Sequence, residues 1–151
     1  MMRDQINAAM KDSIKARNAR RTTTLRLINA AIKDREIAAR GEGRDGIGDE
    51  DILAILQKMV KQREESAQIY QQNARPELEA QEREEIEIIR EFLPKPLTDA
   101  EIEAAIKAAI AETGAEGLRD MGKVVGVLKG RYPGQIDFGQ ASRQVKALLG
   151  A

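Results

Sequence analysis

The sequence predicts an all-α protein. Apolar residues recur at three- and four-residue spacing along most of the chain, the period of an amphipathic helix. Alanine, isoleucine, leucine, glutamate, lysine and arginine dominate the composition, and these are mostly good helix formers. No segment shows the two-residue alternation of a strand. At 151 residues the chain forms one domain or two small ones, and a compact domain of this size buries roughly 70% of its unfolded surface. The core must be aliphatic, because there are two Phe, two Tyr and no Trp.

Ile6, Met10 and Ile14 fall four apart and predict a first helix. Asn18 is placed to cap a second, in which Leu25, Ile28 and Ile32 share a face, supported by Leu27 and Ala31. Gly41, Gly43, Gly46 and Gly48 then end the pattern in a flexible loop. Asp49 is the expected cap of a long third helix with the inner stripe Ile52, Leu56, Met59, Val60, Arg63, Ala67 and Tyr70. Pro76 opens a fourth helix at a position where the missing N–H costs little. Its stripe is Ile86, Ile89 and Leu93, beside Ile88 and Phe92. Pro94 and Pro96 stop it and place a domain boundary between 1–93 and 94–151.

The second part opens on a capping box, Thr98-Asp99-Ala100-Glu101. Ile102, Ile106 and Ile110 follow, up to a stop at Gly114. Asp120 is the expected cap of the next helix, Met121 to Arg131. Tyr132-Pro133-Gly134 reads as a turn. Asp137 to Gln140 resembles a second capping box, leading into the stripe Phe138, Ala141, Val145 and Leu148 or Leu149.

Within Met121 to Arg131, Gly122, Gly126 and Gly130 recur every fourth residue and line one side of a helix. Met121, Val124, Val125, Val127 and Leu128 occupy mostly the other side, and Lys123 and Lys129 flank the glycines. Each interior glycine costs about 1 kcal/mol relative to alanine. Such a stripe makes sense where another backbone, peptide or nucleic acid, comes close. It would equally admit a neighbouring helix of the same chain.

The net charge is zero but unevenly spread. Residues 1–40 carry ten basic and four acidic side chains, 41–93 seven and fourteen, and 94–151 eight and seven. Basic ends around an acidic middle suit an anionic partner or internal pairing. Arg17, Arg20, Arg21 and Arg26 crowd the start of the second helix, where cations are disfavoured, so a compensating partner is expected: the acidic middle helices or an external polyanion. Arg63, interrupting an apolar stripe, is expected to pair with the acidic fourth helix. Lys123, Lys129, Arg131, Arg143 and Lys146 form a C-terminal basic set suited to phosphate. Without an aromatic stacking platform, structured RNA read by shape is favoured over single strands.

Cysteine and histidine are absent, which excludes disulfides, thiol nucleophiles, Cys/His metal sites and any Ser-His-Asp mechanism. Glu82, Glu84, Glu85 and Glu87 lie on a helix beside Arg83 and Arg90, without loop geometry to converge on a cation. Gly41, Gly43 and Gly46 match G-x-G-x-x-G, yet a helix precedes them where the dinucleotide fingerprint needs a strand. Ser13, Ser66 and Ser142 sit in helical contexts with no nucleophile-elbow sequence. No catalytic residue, metal or cofactor is therefore expected. With no apolar run of the roughly 20 residues a membrane helix needs and no secretory signal, the cytoplasm is the expected compartment.

Four blocks carry a family likeness. They are Thr24-Leu25-Arg26-Leu27-Ile28 with Ala30 to Lys33 and Glu36-Ile37; Lys61 to Ser66 with Tyr70; Glu84 to Pro94; and Asp120-Met121-Gly122-Lys123-Val124-Val125-Gly126. Together, in this order, they resemble the GatB/YqeY family across nearly the whole chain, at the size of its stand-alone YqeY-like members. The resemblance implies an N-terminal helical bundle and a small C-terminal three-helix tail. Related segments close the B subunit of the glutamyl/aspartyl-tRNA amidotransferase, where the tail is associated with the tRNA body. The ATP-using and glutamine-hydrolysing centres of that carbon–nitrogen ligase lie in parts absent here. The resemblance thus implies association with tRNA, or with an amidotransferase or aminoacyl-tRNA synthetase component. Three functions stand open: a non-catalytic tRNA-binding or tRNA-amidation accessory module, an adaptor docking a partner helix on the glycine row, and a glutamine-dependent ligase acting only within a larger complex.

Overall fold

The computed structural model describes residues 1–150 and is all-helical among them. Seven α-helices follow in order: α1 Met2–Lys15, α2 Ala19–Gly41, α3 Asp49–Gln72, α4 Pro76–Arg90, α5 Asp99–Thr113, α6 Met121–Arg131 and α7 Phe138–Leu149. A single 3₁₀ turn, Leu118–Asp120, leads into α6. The chain divides into two compact units, Met1–Leu93 and Pro94–Ala151. Among the described residues no helix is long and apolar enough to cross a membrane.

In the first unit, α3 and α4 form an antiparallel hairpin against which α1 and α2 pack. The core is Ile6 of α1, Leu25, Ile28 and Ile32 of α2, Ile52, Leu56, Met59 and Val60 of α3, and Ile86, Ile88 and Ile89 of α4. Each fully buried Ile or Leu contributes roughly 1.5–3 kcal/mol, so this aliphatic set carries the unit without large aromatic side chains. Phe92 and Leu93 pack on its margin, in the turn that follows α4.

Two apolar expectations fail here. Ile14 is 52% exposed, and Ser13 is buried in its place. The inner row of α1 runs through Met2, Ile6, Ala9 and Ser13, and at about 100° per residue Ile14 is swung out of it. Ser13 is accommodated by hydrogen bonds: its Oγ donates to Met10 O at 2.8 Å and lies 2.8 Å from Thr22 Oγ1. Leu27 is likewise exposed, because α2 faces the core through Leu25, Ile28 and Ile32, with Ala31 packed beside them.

The helix ends follow local chemistry. The Asn18 side chain accepts from the Arg21 backbone N–H, as the sequence predicts. The cap of α3 is Gly48 rather than Asp49; Asp49 is the first helical residue, and the Asp51 carboxylate accepts from the Gly48 N–H at 3.2 Å. α1, α2 and α3 all end in the same device. The residue two past the cap donates five positions back, Asn18 to Ser13 O, Arg44 to Ala39 O and Arg75 to Tyr70 O, with a left-handed residue before it. That residue is Gly43 in α2 but Arg17 in α1 and Ala74 in α3, at φ of 56° and 54°. Side chains there cost about 1–2 kcal/mol.

In the second unit α5, α6 and α7 pack pairwise around Ile102, Ala105, Ile106, Ala109, Val124, Leu128, Ile136, Ala141 and Val145. Thr98 and Glu101 cap α5 reciprocally. Gly114 ends α5 at φ 68°. Asp120 does not cap α6 through its side chain. Its carboxylate accepts from the Glu116 N–H at 3.1 Å, since the 3₁₀ turn has already redirected the chain. Asp137 caps α7 alone, accepting from the backbone N–H groups of Gly139 and Gln140; the Gln140 side chain takes no part in a capping box. Leu149 joins the inner stripe and Leu148 faces out.

Candidate nucleic-acid interface

The core of the second unit fixes the orientation of α6. Val124 and Leu128 are fully buried, with Met121, Val125 and Val127 beside them. At about 100° per residue, the centre of this apolar face lies opposite Gly126. The glycines therefore sit on the side of α6 turned away from its own core, and all three are exposed. A Cβ built on Gly122, Gly126 or Gly130 meets nothing within 4 Å. None of the three has a positive φ, so no backbone constraint demands glycine there. Lys123 and Lys129 project about 60° to either side of the row's centre.

The flanking cations differ in what holds them. Lys123 is exposed, and its Nζ stands 3.9 Å from Asp120, a loose pair three residues apart. Lys129 Nζ lies 5.9 Å from the centre of the Phe138 ring, which carries its stem toward α7 without neutralising it. Arg131 is engaged: its Nη2 donates to Glu112 Oε1 at 2.9 Å. That bond holds the Glu112 carboxyl below its ordinary value and raises the guanidinium. The Asp120 carboxyl is also lowered, chiefly by the Glu116 N–H it accepts. Arg143 and Lys146 stand on α7, where they line a hollow with Leu118, Ala147 and Gly150 that does not include the glycine row. The C-terminal basic set is thus two groups, Lys123 and Lys129 beside the row and Arg143 and Lys146 on α7, with Arg131 tied to α5.

In the first unit the arginine cluster also separates. Arg21 pairs with Glu91, and Arg20 Nη1 stands 3.8 Å from Glu84 Oε2. The Arg20 contact is close enough for attraction but makes no hydrogen bond, and that nitrogen is buried without another partner. The acidic helix α4, through Glu84, and its C-cap residue Glu91 therefore supply the compensation for these two. Arg17 and Arg26 are exposed and form no ion pair among the described residues; Arg17 serves the left-handed end of α1.

Arg63 meets α4 as expected. Its Nε donates to Glu85 Oε2 at 3.0 Å and its Nη1 to Met59 O at 3.3 Å. Both side chains are nearly buried, 15% and 10% exposed. Glu82, half-buried nearby, has its carboxyl raised, first by desolvation and then by the Glu85 charge. Glu84 and Glu87 stand beside Arg20 and Arg90. Sequence reasoning missed the buried Ser13–Thr22 hydrogen bond, because neither residue breaks an apolar pattern visibly enough to flag it.

A family model described as Yqey-like protein matches residues 3–149. Altered inheritance of mitochondria protein 41, mitochondrial, of Lachancea thermotolerans is 32% identical over 105 residues, 68% of this chain and 54% of that protein. The protein of the same name from Saccharomyces cerevisiae strain S288c is 27% identical over 94 residues, 62% of this chain and 49% of its own length. The chain spans about half the length of these curated relatives, which are mitochondrial by name.

Proposed function

The chain belongs to the Yqey-like protein family, and from that premise we propose that it is a non-catalytic tRNA-binding or tRNA-amidation accessory module, with the glycine face of α6 as its contact surface. The observation that carries this reading is the open row of Gly122, Gly126 and Gly130 on the side of α6 opposite its core, with a lysine along each edge. Bare main chain lets a sugar–phosphate backbone approach closely, and the two ammonium groups meet phosphates on either side. The reading assigns chemistry to an amidotransferase or synthetase component, not to this chain. It takes the cytoplasm as this chain's compartment.

A mobility-shift titration with total tRNA tests it. Affinity should fall as salt rises, because each phosphate contact releases counterions. Lys123→Glu with Lys129→Glu should weaken binding and flatten the salt dependence by roughly 0.7–0.9 in log–log slope per lost contact. Unchanged affinity and slope would exclude the row as an RNA surface. The four-residue glycine spacing also suits a closely packed partner helix. That adaptor reading predicts that Gly126→Leu abolishes capture of an amidotransferase or synthetase subunit while leaving RNA affinity intact.

A further inference from the structure

The second unit carries two hollows, one on each flank of α7, that the RNA reading does not use. On one flank, α7 and the start of α5 enclose an open groove of about 540 Å³. Ala100, Ala147 and Leu148 give it apolar walls over the buried Ile106, and Asp99 and Glu103 its charge. On the other flank lies the hollow of about 460 Å³ lined by Leu118, Arg143 and Lys146. Ala147 borders both. Leu148 and Leu118 are large apolar side chains left 45% and 50% exposed, one in each hollow. Among the described residues Asp99, Arg143 and Lys146 have no ion-pair partner, and Glu103 has only Lys107, a turn away on the same exposed helix face at 3.0 Å.

The two hollows sit at nearly the same level along α7, around Gln144 to Ala147. A twofold axis parallel to α7 therefore lays the acidic flank of one copy on the basic flank of another, twice over. Ala147, exposed on the ridge between the hollows, is small enough for two α7 helices to approach. A surface that carries its own complement in this way fits an isologous interface. We propose that the chain self-associates through α7, with Arg143 and Lys146 of each copy facing Asp99 and Glu103 of the other, and with Leu118 and Leu148 buried between them.

Sedimentation of the full chain across a concentration series tests this. The parent should show a monomer–dimer equilibrium that shifts toward monomer as salt rises. Glu103→Lys and Arg143→Glu, both at exposed positions, should each raise the dimer dissociation constant about tenfold or more by opposing like charges. An equimolar mixture of the two variants should restore association, because the acidic variant then faces the basic one. Helical content by circular dichroism should match the parent in both. A chain that stays monomeric up to millimolar concentration overturns the proposal and leaves the groove to a different protein. A dimer that neither substitution weakens, or variants whose mixture fails to associate, overturns it as well.

Discussion

Replacing Gly126 by alanine should make α6 more stable. Gly126 lies in the middle of α6, outside the left-handed backbone region, and an added Cβ there meets nothing within 4 Å. No packing term opposes the change, so the intrinsic helix propensity should appear nearly whole, about 0.8–1 kcal/mol. Gly122 and Gly130 stand second and second-last in α6, where fraying dilutes the gain. Amide hydrogen exchange reads the outcome directly: the α6 amides of Gly126→Ala should exchange roughly four- to fivefold more slowly, given that about 1.4 kcal/mol is a factor of ten. Faster exchange, or loss of the helix, would refute the reasoning, because it would mean that something occupies the space beside the row. A stabilising substitution that weakens tRNA binding would separate the two roles of this helix: its stability asks for alanine and its surface asks for glycine.

Other expectations follow from the geometry. Ala74→Gly, at φ 54°, should raise stability by about 0.5–1 kcal/mol, measured by urea denaturation, since glycine accepts the left-handed end of α3 without strain. Arg63→Ala strands the nearly buried Glu85 carboxylate and should cost about 3–5 kcal/mol, whereas Arg63→Met with Glu85→Met should cost far less in the same assay. Glu82 binds its proton more tightly in the folded chain than in the unfolded one, so its charged form is disfavoured at neutral pH. Glu82→Gln should therefore stabilise at pH 7, and the gap to the parent should close as pH falls through the raised Glu82 value. Asp51, lowered by its hydrogen bond from Arg44, behaves oppositely. Its contribution is present above the ordinary carboxylate range and is lost as pH falls through its lowered value, so Asp51→Asn should cost stability at pH 7 and little near pH 2.

The helices were legible because their inner stripes are long and aliphatic. Ile52, Leu56, Met59, Val60 and Ala67 keep one face over four turns, and burial follows them residue by residue. The Arg63 pairing was legible for a related reason: a cation inside such a stripe needs a carboxylate, and α4 is the acidic element. Short patterns misled. Three residues, Ile6, Met10 and Ile14, fit two adjacent helix faces, and only packing against α2 selects the one through Ser13. Caps at Asp49 and Asp120 failed because a side-chain cap depends on the chain path before the helix, and the 3₁₀ turn at Leu118 to Asp120 leaves no sequence signature of its own. At the candidate surface, sequence spacing put five cations in one set. Geometry divides them, because Arg131 meets Glu112 on α5 while Arg143 and Lys146 belong to the flank of α7. An exposed ion pair between helices, such as Arg131 with Glu112, interrupts no apolar stripe and so leaves no trace in the spacing of either helix.

Photocrosslinking from α6 tests the central claim most directly. A benzoylphenylalanine placed at Lys123, exposed at the edge of the glycine row, is irradiated with the full chain in the presence of total tRNA and a competing lysate. The proposed function predicts a ribonuclease-sensitive adduct that disappears as salt rises. Adducts to protein alone, with RNA untouched at low salt, would contradict it.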